Sequence, residues 1–150
     1  MKSIPTPRRS ARASRSYMLD QQVGFILRQV VQRHIGIFTE KMIEGITPTQ
    51  FAALAKLYEV GPSSQNRLGR LTAMDAATIK GVIDRLTKRR FTAVRPEPGD
   101  ARLLMIQLTA RGRRLIERAI AAAFRITEET LAPLDARERA ALLELLQKLT

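Results

Sequence analysis

Along most of the chain apolar residues recur at steps of three and four, the spacing of an amphipathic helix. The first such run is Leu19, Val23, Ile26, Leu27, Val30, Val31, His34, Ile35 and Phe38, which predicts a helix over 19–44 ended by Gly45. Its apolar positions fill more than one stripe, a wider face than a small domain covers alone, and this predicts a dimer interface. Thr47-Pro48-Thr49-Gln50 opens the next helix. Thr is the N-cap, Pro occupies the first helical position where its missing N–H costs nothing, and Gln closes a capping box. Phe51, Leu54, Ala55 and Leu57 give the buried face up to Tyr58, and Gly61-Pro62 breaks the helix. Ser63 or Ser64 then caps a short helix that buries Leu68 and Leu71.

A third helix is predicted over 75–89, capped by Asp75, with Ile79, Val82, Ile83 and Leu86 on one side and Ala77, Gly81, Asp84 and Lys88 on the other. Two strand-like runs follow, Thr92–Arg95 and Arg102–Leu108, and the turn residues Pro96 to Asp100 join them as a hairpin with an open loop. Thr109 caps a long helix over 110–131 with Leu115, Ile116, Ile120, Ala123, Phe124 and Ile126 inside, and Pro133 stops it. Asp135-Ala136-Arg137-Glu138 opens a last helix carrying Leu142, Leu145, Leu146 and Leu149. Three helices and a two-stranded hairpin in this order predict a winged helix-turn-helix. The fold class is mainly α with an α/β wing, bracketed by N- and C-terminal helices that form a dimerisation domain. The expected division is a disordered basic arm over 1–16, dimerisation helices over 17–45 and 110–150, and the winged helix-turn-helix over 46–109.

Charge changes the picture most. The 150 residues carry 26 Lys and Arg against 14 Asp and Glu, a net charge of +12, which argues for a polyanionic partner. Between Gln65 and Arg95 stand eight basic residues against two acidic ones. This concentration on the proposed turn and recognition helix is what phosphate neutralisation by a DNA-binding element needs. The chain has no cysteine, so disulfides, thiolate zinc sites and thiol redox sensing are excluded. The one histidine, His34, makes a histidine-built metal site or catalytic triad hard to assemble. No metal and no cofactor are expected. No apolar run reaches the ~18–20 residues of a membrane span. The Arg- and Ser-rich start superficially suggests a transit peptide, but it lacks an apolar face; the expected location is cytoplasmic, on the nucleoid.

The expected DNA contacts follow from these elements. Ser64 and Gln65 start the first helix of the turn. Ala76, Ala77, Thr78 and Gly81 on the recognition helix are small enough for close approach to base edges, with methyl groups for thymine. Lys80 and Arg85 reach guanines or phosphates. On the wing, Arg95 and Arg102 suit a narrow minor groove, and Asp100 is expected to pair with an arginine and fix the loop. An RNA-binding role would want exposed aromatics for stacking, and aromatics are 5% of the chain. An enzyme is not expected: Glu128 and Glu129 point about 100° apart on a helix and form no dyad.

The motifs Thr47-Pro48-Thr49-Gln50-Phe51 with Leu54, Ser64-Gln65, Met74 through Ile79, Asp84-Arg85-Leu86, Asp100-Ala101-Arg102 and Leu108 through Gly112 together resemble the MarR family, over roughly residues 19–150. The resemblance implies a homodimeric bacterial regulator, usually a repressor, that binds pseudo-palindromic double-stranded DNA and leaves it when a small aromatic ligand binds. Asp100 and Arg102 match the family's wing Asp-x-Arg pair, and 75–86 matches its recognition helix. The family commonly has glycine after that helix, where this chain has Arg90-Phe91, which leaves a left-handed cap there open. Gly81 stands where a polar or basic residue is common, so base readout there does not carry over.

In this architecture a ligand cleft lies between the first helix, the 48–58 helix and the 110–131 helix. Phe25, Arg28, Gln29, Gln32, Arg33 and His34 on the first helix, with Phe51 on the second, are the candidate effector contacts, suited to an aromatic carboxylate or phenol. The segment Gln21–Gln29 is similar to regulators of nicotinate breakdown within the family, which makes a hydroxylated nicotinate the candidate effector. The alternative is a constitutive DNA-binding or nucleoid-type protein without small-molecule control.

Overall fold

The computed structural model describes residues 16–150, so the expected basic arm lies, apart from Ser16, outside the described residues. Helix α1 spans Val23–Lys41, α2 Pro48–Val60, α3 Gln65–Leu71 and α4 Ala76–Lys88. Strands β1 (Thr92–Glu97) and β2 (Asp100–Leu108) form an antiparallel hairpin, and α5 (Ala110–Thr130) and α6 (Ala136–Gln147) complete the chain. The fold is mainly helical with a two-stranded wing.

Local chemistry sets most boundaries. Both capping boxes form: Thr47 with Gln50 opens α2, and Asp135 with Glu138 opens α6. Ser64, not Ser63, caps α3 by accepting from the Arg67 N–H. Helix α1 is shorter than its apolar pattern. It begins at Val23 after a 3-10 turn over Leu19–Gln21, and it ends at Lys41 because Met42 turns extended. Gly45 therefore lies beyond the helix end, in a left-handed pair with Glu44. The wing strands run further than expected and meet across a two-residue Pro98-Gly99 turn rather than an open loop. Val94 faces Ile106 and Pro96 faces Leu104, but Glu97 faces Asp100, so Ala101, Arg102 and Leu103 form an unpaired bulge.

Two helix ends depart from local rules. After α3 the Met74 N–H donates to Gly69 O and the Ala73 N–H to Arg70 O; after α4 the Phe91 N–H donates to Leu86 O and the Arg90 N–H to Thr87 O. Both are Schellman closures, and each puts a non-glycine residue in the left-handed region, Ala73 at φ 53° and Arg90 at φ 62°. The left-handed cap left open by the sequence thus forms, on Arg90 rather than on a glycine. The burial of Phe91, which has no exposed surface, fixes the chain direction after it.

One core joins the lobe. Phe38 and Ile46 from the first segment pack with Leu54 and Leu57 of α2, Leu68 of α3, the Ile79/Val82/Ile83/Leu86 face of α4, Ile106 of β2, and Leu115, Ile116 and Ile126 of α5. Each fully buried side chain of this kind contributes about 1.5–3 kcal/mol. Three expectations of burial fail in the single chain. Leu71 is exposed at the end of α3. Phe124 is 71% exposed; Leu145 of α6 and Leu149 just beyond its end are 58% and 71% exposed, and no α6 residue is buried. These positions have the right spacing but no partner among the chain's described residues. Among the described residues no helix is long and apolar enough to cross a membrane.

Two substitutions test the junctions. A Cβ at Gly112 would stand 1.9 Å from Phe91 O, so Gly112→Ala must push two backbones apart. It should destabilise by at least the ~1–3 kcal/mol typical of overpacking, read as a lower denaturation midpoint. Arg90→Gly should do the opposite and stabilise by about 0.5–1 kcal/mol, because glycine takes the left-handed region without strain; an unchanged or lower thermal midpoint would contradict the cap geometry.

Candidate functional site

The reading head is assembled from caps upward. Asp75 accepts the Thr78 N–H at 2.7 Å and starts α4. The amphipathic face of α4 turns Ile79, Val82, Ile83 and Leu86 into the core, which leaves Ala76, Ala77, Thr78, Lys80 and Arg85 exposed on its other sides. Gly81 is half-buried because the Arg85 guanidinium folds over it: a Cβ there would lie 3.3 Å from Arg85 Nη1. Lys80 pairs with Asp84 at 2.8 Å. Both ends are exposed, and such a pair is weak enough, at about 0–1 kcal/mol, to yield to a phosphate.

The first helix of the turn and the wing are tied to α4. Gly69 brings α3 so close that a Cβ would lie 3.2 Å from Met74 O and 3.3 Å from the Ile79 side chain. Ser63, fully buried, exchanges two backbone hydrogen bonds with Ile106 of β2, at 3.0 and 2.8 Å. This third, one-residue strand contact was not visible in the sequence; Ser63 looked only like a second candidate cap. It holds Ser64 and Gln65, both half-buried, beside the wing base. At the wing, Arg95, Asp100 and Arg102 are all exposed. Asp100 fixes the loop, but through the backbone: it accepts the Arg102 N–H at 3.0 Å, and no arginine guanidinium pairs with it among the described residues. The backbone N–H two residues on is the nearer donor, so the expected ion pair is replaced by an Asx-type turn.

The second feature lies between the reading head and the terminal helices. His34, Phe38, Pro48, Phe51, Ala123, Ile126 and Thr127 line a half-open cavity of about 210 Å³ between α1, α2 and α5. Phe38 and Phe51 meet edge to face at 6.1 Å, and His34 is tilted against Phe38 at 6.4 Å. His34 Nδ1 lies 2.8 Å from Thr130 Oγ1, and Arg33 donates to the Thr130 and Glu129 carbonyl oxygens at 2.7 and 3.0 Å. Arg33 thus caps the C-terminal end of α5 from outside it. Lys41 pairs with Glu129 at 2.6 Å, and that hydrogen bond raises the Lys41 pKa above its ordinary value.

The structure brings His34 and Phe51 to this cavity. Phe25, Arg28, Gln29 and Gln32 do not line it. At 100° per residue they lie roughly 120–180° around α1 from His34, on the face that carries Arg28, Gln29 and Gln32 into solvent. A ring-sized space suits a single substituted aromatic ring; drug-sized pockets are larger, ~300–1,000 Å³. Among the described residues no group of three His, Cys, Asp or Glu is placed to hold a metal ion.

The MarR family model matches residues 46–104, the span from α2 through most of the wing. Over 150 residues the chain is 38% identical to the HTH-type transcriptional repressor NicR of Pseudomonas putida, covering 99% of this chain and 95% of that one. The chain belongs to the MarR family. As a member it is a transcriptional regulator, and its fold is shared with solved members. A probable transcriptional regulator from Pseudomonas aeruginosa superposes with a TM-score of 0.86 at 50% identity, covering 89% of this chain and 100% of that one. BpsR of Bordetella bronchiseptica, whose DNA binding is regulated by 6-hydroxynicotinic acid, superposes with a TM-score of 0.84 at 38% identity over 89% of this chain and 96% of that one.

The Asp75 cap gives a pH test of the reading head. The Thr78 N–H holds the Asp75 carboxyl below its ordinary value of 3.8. Its stabilising contribution is therefore fully present above about pH 4 and is lost as pH falls through the lowered folded value. Asp75→Ala should lower the thermal midpoint at neutral pH, and its gap to wild type should close in acid. Asp75→Asn, which caps without titrating, should keep its midpoint relative to Ala at every pH.

Proposed function

We propose that this MarR-family member is a ligand-responsive repressor. It binds pseudo-palindromic double-stranded DNA as a homodimer and leaves it when a small aromatic carboxylate or phenol fills the cavity beside His34. A hydroxylated nicotinate is the first candidate. It acts in the cytoplasm, on the nucleoid. The observation that carries this reading is the cavity itself: a single-ring space, walled by Phe38 and Phe51, with one imidazole at its edge.

The dimer rests on uncovered apolar surface. Val23, Ile26, Leu27, Val30, Val31 and Ile35 of α1 are exposed in one protomer, as are Leu143, Leu145 and Leu149 at the other end of the chain. A second copy that covers both sets makes residues 17–45 and 110–150 the dimerisation domain and leaves 46–109 as the DNA-binding lobe. Two such lobes present their α4 helices to successive major grooves, about 34 Å apart. Ala76, Ala77, Thr78 and Gly81 then face base edges, Lys80 and Arg85 reach guanine or phosphate, and Ser64 and Gln65 support them from α3. Arg95 and Arg102 approach the minor groove, with Asp100 holding the bulge that carries Arg102.

Ligand control is a difference in affinity between two arrangements of the lobes. Relatives support the chemistry: 6-hydroxynicotinic acid regulates DNA binding by BpsR. Adding 6-hydroxynicotinate to a preformed protein–operator complex should lower DNA affinity at least tenfold, measured by fluorescence anisotropy at fixed salt. If neither it nor any other aromatic acid or phenol changes the affinity while DNA binding persists, the chain is a constitutive DNA-binding protein.

A further inference from the structure

One hydroxyl holds the only histidine of the chain. Thr130, the last residue of α5, places Oγ1 at 2.8 Å from His34 Nδ1 on α1. The peptide that carries this hydroxyl is itself fixed: Arg33, the residue before the histidine, donates to Thr130 O and Glu129 O. Helix α1 therefore grips the end of α5 with two neighbouring side chains, one on the backbone and one on the hydroxyl. Among the described residues Thr130 Oγ1 makes no other hydrogen bond.

The proton inventory follows. A threonine hydroxyl has one hydrogen to donate, and a neutral imidazole carries its hydrogen on one nitrogen and accepts on the other. If the hydroxyl spends its one hydrogen on Nδ1, that ring nitrogen is left as the acceptor. The imidazole hydrogen then sits on Nε2, the remaining polar atom of a ring that lines the cavity. The partner bonded to one ring nitrogen decides what the other can do.

We propose that Thr130 is a positioning residue for the cavity: it donates to His34 Nδ1, fixes the Nε2–H tautomer, and so makes His34 a hydrogen-bond donor that selects a ligand oxygen. This rests on the cavity being the effector site, but the tautomer stands or falls separately. A carboxylate or ring oxygen of a small aromatic acid can accept from Nε2–H. A ligand that offers an N–H at that point meets a second donor and is refused. Neither Arg28 nor Arg33 is free for this task at the cavity, since Arg28 lies on the far face of α1 and Arg33 is spent on α5 carbonyls.

Because there is one histidine, uniform ¹⁵N labelling gives one imidazole pattern, and its long-range ¹H–¹⁵N correlations report the tautomer directly. At about pH 8 wild type should show a protonated Nε2 and a bare Nδ1. Thr130→Val keeps the branched shape without the donor; its pattern should move to a mixture of tautomers, and 6-hydroxynicotinate should bind about tenfold more weakly. Thr130→Ser should restore both. A wild-type pattern with hydrogen on Nδ1 overturns the proposal, as does a valine variant with unchanged pattern and affinity. If wild type ignores 6-hydroxynicotinate, that candidate effector falls, and the nitrogen pattern alone still decides for or against Thr130.

Discussion

The carbonyl of Phe91 is the point on which the reading head turns. It accepts the Thr109 N–H at 3.1 Å and the Thr109 hydroxyl at 3.2 Å, while the same hydroxyl donates to Arg90 O at 2.6 Å. Gly112 packs against it so closely that no side chain fits. The Phe91 ring is fully buried, with the Arg89 and Arg111 guanidinium groups at 4.8 and 5.0 Å from its centre. Four elements therefore meet within one peptide: the end of α4, the start of β1, the end of β2 and the start of α5. The angle between the recognition helix and the long helix is set there, and the left-handed strain at Arg90 is the cost of reaching it.

Features written within four residues were legible in the sequence. The Thr47/Gln50 and Asp135/Glu138 boxes, the Asp75 and Thr109 caps and the apolar face of α4 are all local, and all appear where their patterns place them. Features that depend on distant partners were not. Ser63 pairs with Ile106 across forty-three positions of chain. Arg90 adopts a conformation that local preference assigns to glycine, because Phe91 has only one way into the core. The apolar spacing of Phe124, Leu145 and Leu149 is the same whether the burying surface is the chain's own core or another copy, so the pattern alone could not separate the two. On α1 the decisive information was available but coarse: counting at 100° per residue already sets Phe25, Arg28, Gln29 and Gln32 away from the face of His34, whereas Phe51 and His34 meet only once α2 is folded against α1.

The charge has its own logic. Basic residues crowd α4 and its end, yet few are locked. Lys80 is held by one exposed carboxylate, and Arg89 by the Glu44 carbonyl and the Phe91 ring. Surface pairs of this kind exchange readily for phosphate oxygens, so the reading face keeps its cations oriented without committing them. Among acidic residues in the turn and recognition helix, Asp75 serves a cap and Asp84 restrains Lys80, which leaves the net field of the face positive.

Helix α5 joins the two halves of this account. Its 21 residues reach about 30 Å at 1.5 Å per residue. One end is fixed to the wing and recognition helix at Phe91, and the other is gripped by Arg33 and His34 beside the cavity. A rigid rod held at both ends transmits a change in either grip as a rotation about the other. In the proposed arrangement a ligand that accepts from Nε2–H bonds the ring whose Nδ1 holds Thr130, so it acts on one end of this rod. The other end carries the recognition helix, and in the proposed dimer a small tilt there is multiplied by the distance between the two lobes. The proposed ligand control thus needs no chain of intermediate contacts between cavity and DNA; it needs only that the two grips on α5 differ between the bound and free states.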